Sequence, residues 1–329
     1  MEHMSKNIDL SIVIPLFNEQ EVIPFLIEEL NKVGVTLSKN YEVILVDDGS
    51  TDNTFELIKK VSEQDSKFKV IKFSRNFGHQ AAFNVGIDFA QGNMVLTMDG
   101  DLQHPPSLIP TFIKQAEDGH DIVIGERLSN KQNSKFREVL GKTFYKLMSS
   151  ITNLEFKNVS DFALYKRNVV NALKKLPERE RYLRGMIQWV GFKKKYVPYV
   201  VESRKAGTPK YNIKRLTRLV LSGVTSFSAF PLRLSFWIGI FVFLISVGLG
   251  VFVILDHYFN PNPLAAGYAT ISLIILFLGS IQLIILGIVG EYMYKMFNEI
   301  KGRPLYIVSE VCNIEEGNIK ETPYGIHAL

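Results

Sequence analysis

Asp99-Gly100-Asp101-Leu102-Gln103 is the segment best suited to chemistry. It follows the apolar run 94–98, so two carboxylates emerge at a strand end, two residues apart around a glycine. Both can turn toward one cation. Hard oxygen ligands suit Mg²⁺ or Mn²⁺, and such an ion commonly bridges to phosphate oxygens. A lone D-x-D is a weak signal, because acidic turns are common. The apolar lead-in and the following Gln103-His104-Pro105-Pro106 strengthen it. His104 is either a ligand or, ahead of two prolines, a residue that shapes the turn. A second segment, Val46-Asp47-Asp48-Gly49-Ser50-Thr51-Asp52, also follows an apolar run. Asp48-Gly49 makes a turn, and Ser50 or Thr51 can cap the next helix. Asp47, at the carboxyl end of a strand, can accept hydrogen bonds from a base N–H or a ribose hydroxyl. Ile14-Pro15-Leu16-Phe17-Asn18-Glu19 marks where the first strand leaves its sheet. Arg75-Asn76-Phe77-Gly78-His79-Gln80 follows the third, and Arg75 is either a diphosphate contact or a surface arginine.

The elements that carry these motifs alternate. Short apolar runs at 10–16, 43–46, 70–73, 94–98 and 122–124 are separated by helical patterns such as 19–37 and 51–64. That order predicts an α/β fold with a mostly parallel sheet covered by helices on both faces. Continuous rather than alternating apolar runs fit strands buried on both sides. Ligands of such sheets sit at the carboxyl ends of the strands, where the motifs fall. From 133 to 201 the pattern is mixed, with a helix over about 134–151 and a strand at 194–200.

The remainder reads as membrane-associated. Residues 206–231 form a basic segment in which Ile213, Leu216, Val220, Val224 and Phe227 recur at helical spacing, as in an interfacial helix or a surface helix packed on the catalytic domain. Two stretches without charge, 234–255 and 267–290, are each long enough to span a bilayer, and Asn260-Pro261-Asn262-Pro263 turns between them. Arg215, Arg218 and Arg233 precede this hairpin, and Lys295, Lys301 and Arg303 follow it. The connecting loop has neither Lys nor Arg, so the positive-inside rule places the catalytic domain and both termini in the cytoplasm. The expected organisation is a catalytic domain over 1–205, the juxtamembrane segment 206–231, two spans within 232–295 and a tail over 296–329. On that division, a chain cut after Arg233 is expected to stay soluble and bind nucleotide.

Composition excludes several classes. The net charge is +5, but the basic residues gather between Lys193 and Arg233, ahead of the apolar stretch, which favours a membrane surface over nucleic acid. A single cysteine, Cys312, rules out an intrachain disulfide. No G-x-G-x-x-G is present, which argues against a dinucleotide oxidoreductase. Gly141-Lys142-Thr143 mimics the end of a P-loop, but Phe136 stands where its first glycine belongs.

Taken together, Ser11 to Glu19, Val46 to Ser50 and Met98 to Pro105 resemble glycosyltransferase family 2. More narrowly, with Arg75 to Gly78, Ser160-Asp161-Phe162, Arg181 to Gly185 and the two apolar spans, they resemble its polyprenyl-phosphate branch. That branch includes dolichyl-phosphate mannose synthases and bacterial bactoprenol glucosyltransferases. The resemblance implies a GT-A fold and transfer with inversion from a nucleotide-diphosphate sugar to a polyprenyl phosphate. It implies a donor site of Pro15, Phe17, Glu19, Asp47, Arg75, Asp99 and Gln103. A divalent metal, Mg²⁺ or Mn²⁺, would lie among Asp99, Asp101 and Gln103. Arg127 and Arg137 fall where the family contacts the acceptor phosphate, and Arg204 and Lys210 are further candidates. Asp161 is the family's candidate base; here it is assigned to orienting the acceptor or a basic side chain. One departure concerns the flap over 204–211: Pro209 precedes Lys210-Tyr211 where the family often has serine.

UDP-glucose is the favoured donor, with GDP-mannose and UDP-amino sugars as alternatives. A membrane-tethered module that binds nucleotide sugars without catalysis is the non-enzymatic reading, and the intact Asp99/Asp101 pair argues against it. A processive polysaccharide synthase is disfavoured, because two spans cannot readily enclose a polymer channel. Oligomeric state stays open: lone hairpins often associate into homo-oligomers, but no small-xxx-small face stands out.

Overall fold

The computed structural model describes residues 8–128, 159–178, 181, 183–200, 230–259, 268–314 and 325–327. The chain divides into two units: Met1–Tyr211 with Gly302–Leu329, and Asn212–Lys301.

The first unit is built on a nine-stranded sheet. β1 (Leu10–Leu16), β2 (Tyr41–Asp47), β3 (Phe68–Phe73) and β4 (Met94–Thr97) are mutually parallel and lie in the order β4-β1-β2-β3. Their crossovers are α1 (Ile23–Thr36), α2 (Thr54–Gln64) and α3 (His79–Phe89). Then follow α4 (Ile109–Glu117), β5 (Ile122–Leu128), β6 (Val159–Lys166), α5 (Arg167–Lys174), α6 (Leu183–Trp189) and β7 (Lys194–Val200). β6 runs antiparallel to both β4 and β5, while β7 is parallel to β5. β8 (Tyr306–Cys312) and β9 (Gly325–His327) complete the order β7-β5-β6-β4-β1-β2-β3-β8-β9.

The residues dictate this arrangement locally. All seven residues of β1 are buried, as a strand covered on both faces requires. Helix α1 buries Ile23, Leu26, Leu30 and Val33, spaced three and four residues apart, and starts with a proline in its first turn. The chain moves from β1 to β2 and β3 on one side, then returns to β4 on the other. A crevice therefore opens at the carboxyl ends of β1 and β4, where loops diverge in opposite directions.

The strands expected at 10–16 and 194–200 occur with those bounds; those expected at 43–46, 70–73 and 122–124 lie inside β2, β3 and β5, and the run 94–98 extends one residue past the end of β4 at Thr97. β8 was not anticipated. It follows the apolar hairpin in sequence, yet pairs antiparallel with β3, Val70 opposite Cys312 and Ile71 opposite Val311. Tyr306 and Val308 are fully buried, and the Tyr306 ring stacks on Phe73 at 5.3 Å. The stretch after residue 301 is thus part of the first unit, and a chain cut after Arg233 lacks two of its strands, β8 and β9.

The second unit contains α7 (Phe230–Phe259) and α8 (Tyr268–Lys301). Phe236, Trp237, Phe241, Phe243 and Leu244 of α7, and Ile275, Phe277, Leu283 and Leu286 of α8, are exposed. Helices that present apolar side chains in this way belong in apolar surroundings. Among the described residues, Phe277–Lys301 is long and apolar enough to cross a membrane, and Leu234–Ile245 is a shorter apolar helix. The helix expected over 134–151 and the basic segment 206–229 lie outside the described residues.

Candidate active site

The four parallel strands deliver their motifs to one edge of the sheet. Asp47 is the last residue of β2 and is fully buried, its carboxylate accepting from the Ser50 backbone N–H at 3.2 and 3.3 Å. Burial pushes its carboxyl above the ordinary range, against those bonds. The next residue, Asp48, reaches across to the loop after β3. Its Oδ1 accepts from the Phe77 N–H at 2.7 Å and its Oδ2 from the Gly78 N–H at 3.0 Å. Gly49 lets the two loops meet: its φ is +68°, and a Cβ there would lie 2.4 Å from the Arg75 carbonyl carbon. On the other side, the Asn18 N–H donates to Ser50 Oγ at 3.0 Å, and Asn18 Oδ1 accepts from the Thr51 N–H at 2.8 Å. The loops after β1, β2 and β3 are therefore one hydrogen-bonded assembly.

Gly78 precedes α3, so the clasp on its N–H also aims His79. The His79 Nε2 lies 2.9 Å from Asp99 Oδ1. Burial disfavours the imidazolium, but the Asp99 hydrogen bond and the carboxylates of Asp99 and Asp161 outweigh it and hold the His79 pKa above its ordinary value. Burial likewise opposes ionisation of Asp99, yet the His79 bond and nearby positive charge bring its carboxyl down to about 2. Asp101 lies one turn on, where Leu102 takes a φ of +59° and Asp101 Oδ1 accepts from the Gln103 N–H at 3.1 Å.

His104 resolves into the turn-shaping alternative. Its Nδ1 accepts from the Asp99 backbone N–H at 2.9 Å, and its ring stacks on Phe162 at 5.1 Å and meets Tyr199 edge-on. Burial lowers its pKa against the pull of the neighbouring carboxylates. With Nδ1 accepting, the ring proton sits on Nε2.

Asp161 enters from the antiparallel side of the sheet. The Thr97 hydroxyl donates to its backbone carbonyl at 2.6 Å, which ties β6 to the end of β4. Its carboxylate is gripped by Arg184, Nε to Oδ1 at 2.8 Å and Nη2 to Oδ2 at 2.7 Å. One ligand atom from each of His79, Asp99 and Asp161 lies within 4.8 Å of the others. Carboxylate oxygens and an imidazole nitrogen at that spacing, with Asp101 on the adjoining turn, fit a hard divalent cation.

The other sequence candidates are placed as follows. Pro15 is buried in β1, while Phe17 and Glu19 are half-buried where the chain leaves it; the Glu19 N–H donates to Thr54 Oγ1 at 2.8 Å. Arg75 is exposed and folded onto its neighbours, with its guanidinium 4.2 Å from the Phe77 ring centroid. Gln103 is half-buried beside Asp101. Arg127 is exposed near the end of β5, opposite Tyr199 in the β5–β7 register. Arg137, Arg204 and Lys210 lie outside the described residues. The sequence reading assigned no role to His79 or Arg184, although both stand in segments it singled out, 75–80 and 181–185.

Residues 11–174 match the family model described as glycosyl transferase family 2, and residues 230–296 match that of the GtrB C-terminal hairpin. An uncharacterized glycosyltransferase of Synechocystis is 39% identical over 94% of this chain and 97% of its own length. A prophage-derived bactoprenol glucosyl transferase of Shigella flexneri is 37% identical over 92% of this chain and 97% of its own. The chain belongs to glycosyltransferase family 2. Its fold is similar to that of glucosyl-3-phosphoglycerate synthase from Mycobacterium tuberculosis, solved with Mn²⁺, UDP and glucosyl-3-phosphoglycerate. That structure superposes with a TM-score of 0.50 at 18% identity, over 67% of this chain and 80% of the synthase. The GT-A fold accounts for why the motifs converge at the carboxyl edge just described.

Proposed function

We propose that this glycosyltransferase moves glucose from UDP-glucose onto a polyprenyl phosphate, with inversion, at the cytoplasmic face of a membrane. The observation that carries the reading is likeness along nearly the whole chain, hairpin included, to relatives named for bactoprenol glucosylation. The edge described above supplies the parts such a transfer needs. Asp47 is a buried carboxylate for the base or ribose of the nucleotide. Asp99 and Asp101, with His79 alongside, would hold a divalent cation, which supplies charge neutralisation at the leaving diphosphate.

The acceptor phosphate has a second pKa of about 6, so it is largely a dianion at neutral pH. One of its oxygens attacks the anomeric carbon and forms the new C–O bond as the bond to the donor's diphosphate breaks. The nucleoside diphosphate leaves with the electron pair, and no proton need be removed. The residues therefore have to position two anions and screen their repulsion. Arg127, Arg137, Arg204 and Lys210 are the proposed cradle of the acceptor phosphate.

Two spans fit the fold. β3 precedes the hairpin and β8 follows it, yet they pair in one sheet. That pairing supports a reading in which both flanks of the hairpin lie on one side of the membrane and the number of crossings is even. The lysines and arginines on those flanks favour the cytoplasmic side.

The test uses the full-length protein in detergent with undecaprenyl phosphate, Mn²⁺ and radiolabelled UDP-glucose, GDP-mannose or UDP-N-acetylglucosamine. The expected result is a butanol-extractable glucosyl lipid whose anomeric coupling is β. Transfer from another donor in preference would overturn the glucose assignment. Donor hydrolysis without a lipid product would overturn the acceptor.

A further inference from the structure

Asp161 and Arg184 form the most constrained charged pair at the site. Asp161 is held by β6 and, through its carbonyl, by Thr97 at the end of β4. The segment bearing Arg184 is pinned twice. Arg181 is buried, with its guanidinium 3.9 Å from Asp88 of α3 and bonded to the Leu173 carbonyl of α5. The Leu183 N–H donates to Gln80 Oε1 at 3.4 Å. The Arg184 side chain is 28% exposed, against 6% for Asp161, so the guanidinium lies on the solvent side of the carboxylate. Its charge acts on both Asp99 and His79.

This geometry suits a role other than proton transfer. Each Asp161 oxygen already accepts a charge-assisted bond, and a phosphate dianion has no proton to surrender at neutral pH. What the transfer requires beside Asp99 is fixed positive charge between two anions. A guanidinium clamped along one edge by a carboxylate is pre-oriented, and its planar fork matches phosphate oxygens. We propose that Arg184 binds a phosphate oxyanion of the substrates, and that Asp161 is the positioning residue that fixes Arg184. The proposal rests on the phosphate-acceptor reading above. The oxyanion belongs either to the donor diphosphate or to the acceptor phosphate.

The experiment is a double-mutant cycle of Asp161→Asn and Arg184→Gln in the full-length protein, with melting temperatures recorded for each. UDP binding with Mn²⁺ is measured by calorimetry, and KM for undecaprenyl phosphate at saturating UDP-glucose. Arg184→Gln should weaken one of these by about tenfold to a hundredfold. Weaker UDP binding assigns the donor diphosphate; a raised acceptor KM assigns the acceptor. Asp161→Asn should shift the same quantity in the same direction, and the double variant should be no worse than Arg184→Gln alone. The pH–rate profile of Asp161→Asn should keep the wild-type shape. If Arg184→Gln fails to fold, Arg184→Lys should show the same affinity loss, since an ammonium cannot reproduce the fork. The proposal is overturned if both affinities survive in the arginine variants, if the two defects add, or if Asp161→Asn alone abolishes the acidic limb of the profile, as loss of a general base would. Inorganic pyrophosphate separates this outcome from a wrong substrate. Should the wild type bind pyrophosphate but use neither UDP-glucose nor undecaprenyl phosphate, the substrate reading falls. Arg184 then stands or falls on its own effect on pyrophosphate affinity.

Discussion

Gly49→Ala isolates the junction on which the donor edge depends. The substitution adds one methyl group in a place where two backbones cross. The new Cβ would lie 2.4 Å from the Arg75 carbonyl carbon and 2.6 Å from the Asn76 nitrogen, well inside any real contact, and neither atom belongs to a side chain that can rotate away. The φ of +68° adds a left-handed conformation that alanine adopts at a cost of about 1–2 kcal/mol. Forcing the loops apart adds about 1–3 kcal/mol by analogy with overpacked cores. The expected loss is about 2–5 kcal/mol, or roughly 4–20 °C in melting temperature at about 2–4 °C per kcal/mol. Gly119→Ala is the control, because Gly119 has a φ of +95° but nothing within 4 Å of its added Cβ. It should carry the conformational cost alone. The assay is thermal unfolding in detergent followed by tryptophan fluorescence, with and without UDP and Mn²⁺. Gly49→Ala should also lose much of the UDP-induced stabilisation, since Asp47 and Asp48 ride on the displaced loop, whereas Gly119→Ala should keep it. Equal melting temperatures for the two variants, with UDP stabilisation intact in both, would refute the idea that this crossing positions the donor site.

Asp101→Asn should abolish transfer while leaving the melting temperature within about 2 °C, a surface-type change; near-normal turnover in Mn²⁺ would remove Asp101 from the metal site. Asp48→Ala should lower stability by about 1–3 kcal/mol, because it leaves the half-buried N–H groups of Phe77 and Gly78 without their acceptor, and it should weaken Mn²⁺ binding through His79; denaturation and calorimetry read the two effects separately. Deleting residues 302–329 while keeping the hairpin should cost at least about 3 kcal/mol, since Tyr306 and Val308 are fully buried against β3; an unchanged melting temperature would mean β8 contributes nothing to the unit. Arg127→Ala should raise KM for undecaprenyl phosphate by about tenfold or more with UDP affinity unchanged, and Arg127→Lys should restore little of it; a loss confined to UDP binding would move Arg127 to the donor.

Much of this was legible from residues alone, because the relevant signals are local. Continuous apolar runs read as strands covered on both faces, and β1 is buried along its whole length. Turn and acidic residues directly after those runs had to gather at one edge once the strands were parallel, which is how Asp47 and Asp99 could be paired without a structure. The uncharged stretches at 234–255 and 267–290 read as long apolar helices, and α7 and α8 cover nearly all of both. What the tertiary structure decided were partnerships between residues far apart in sequence. His79 meets Asp99 only because the clasp from Asp48 aims the start of α3 at the end of β4. Arg184 meets Asp161 only because β6 inserts antiparallel beside β4 and the segment before α6 is anchored through Arg181. β8 joins β3 across the whole intervening hairpin, a pairing that depends on which sheet edge is left open. Periodicity and capping specify what each segment becomes, whereas sheet order and register specify what it touches, and those are set by burial summed over the entire fold.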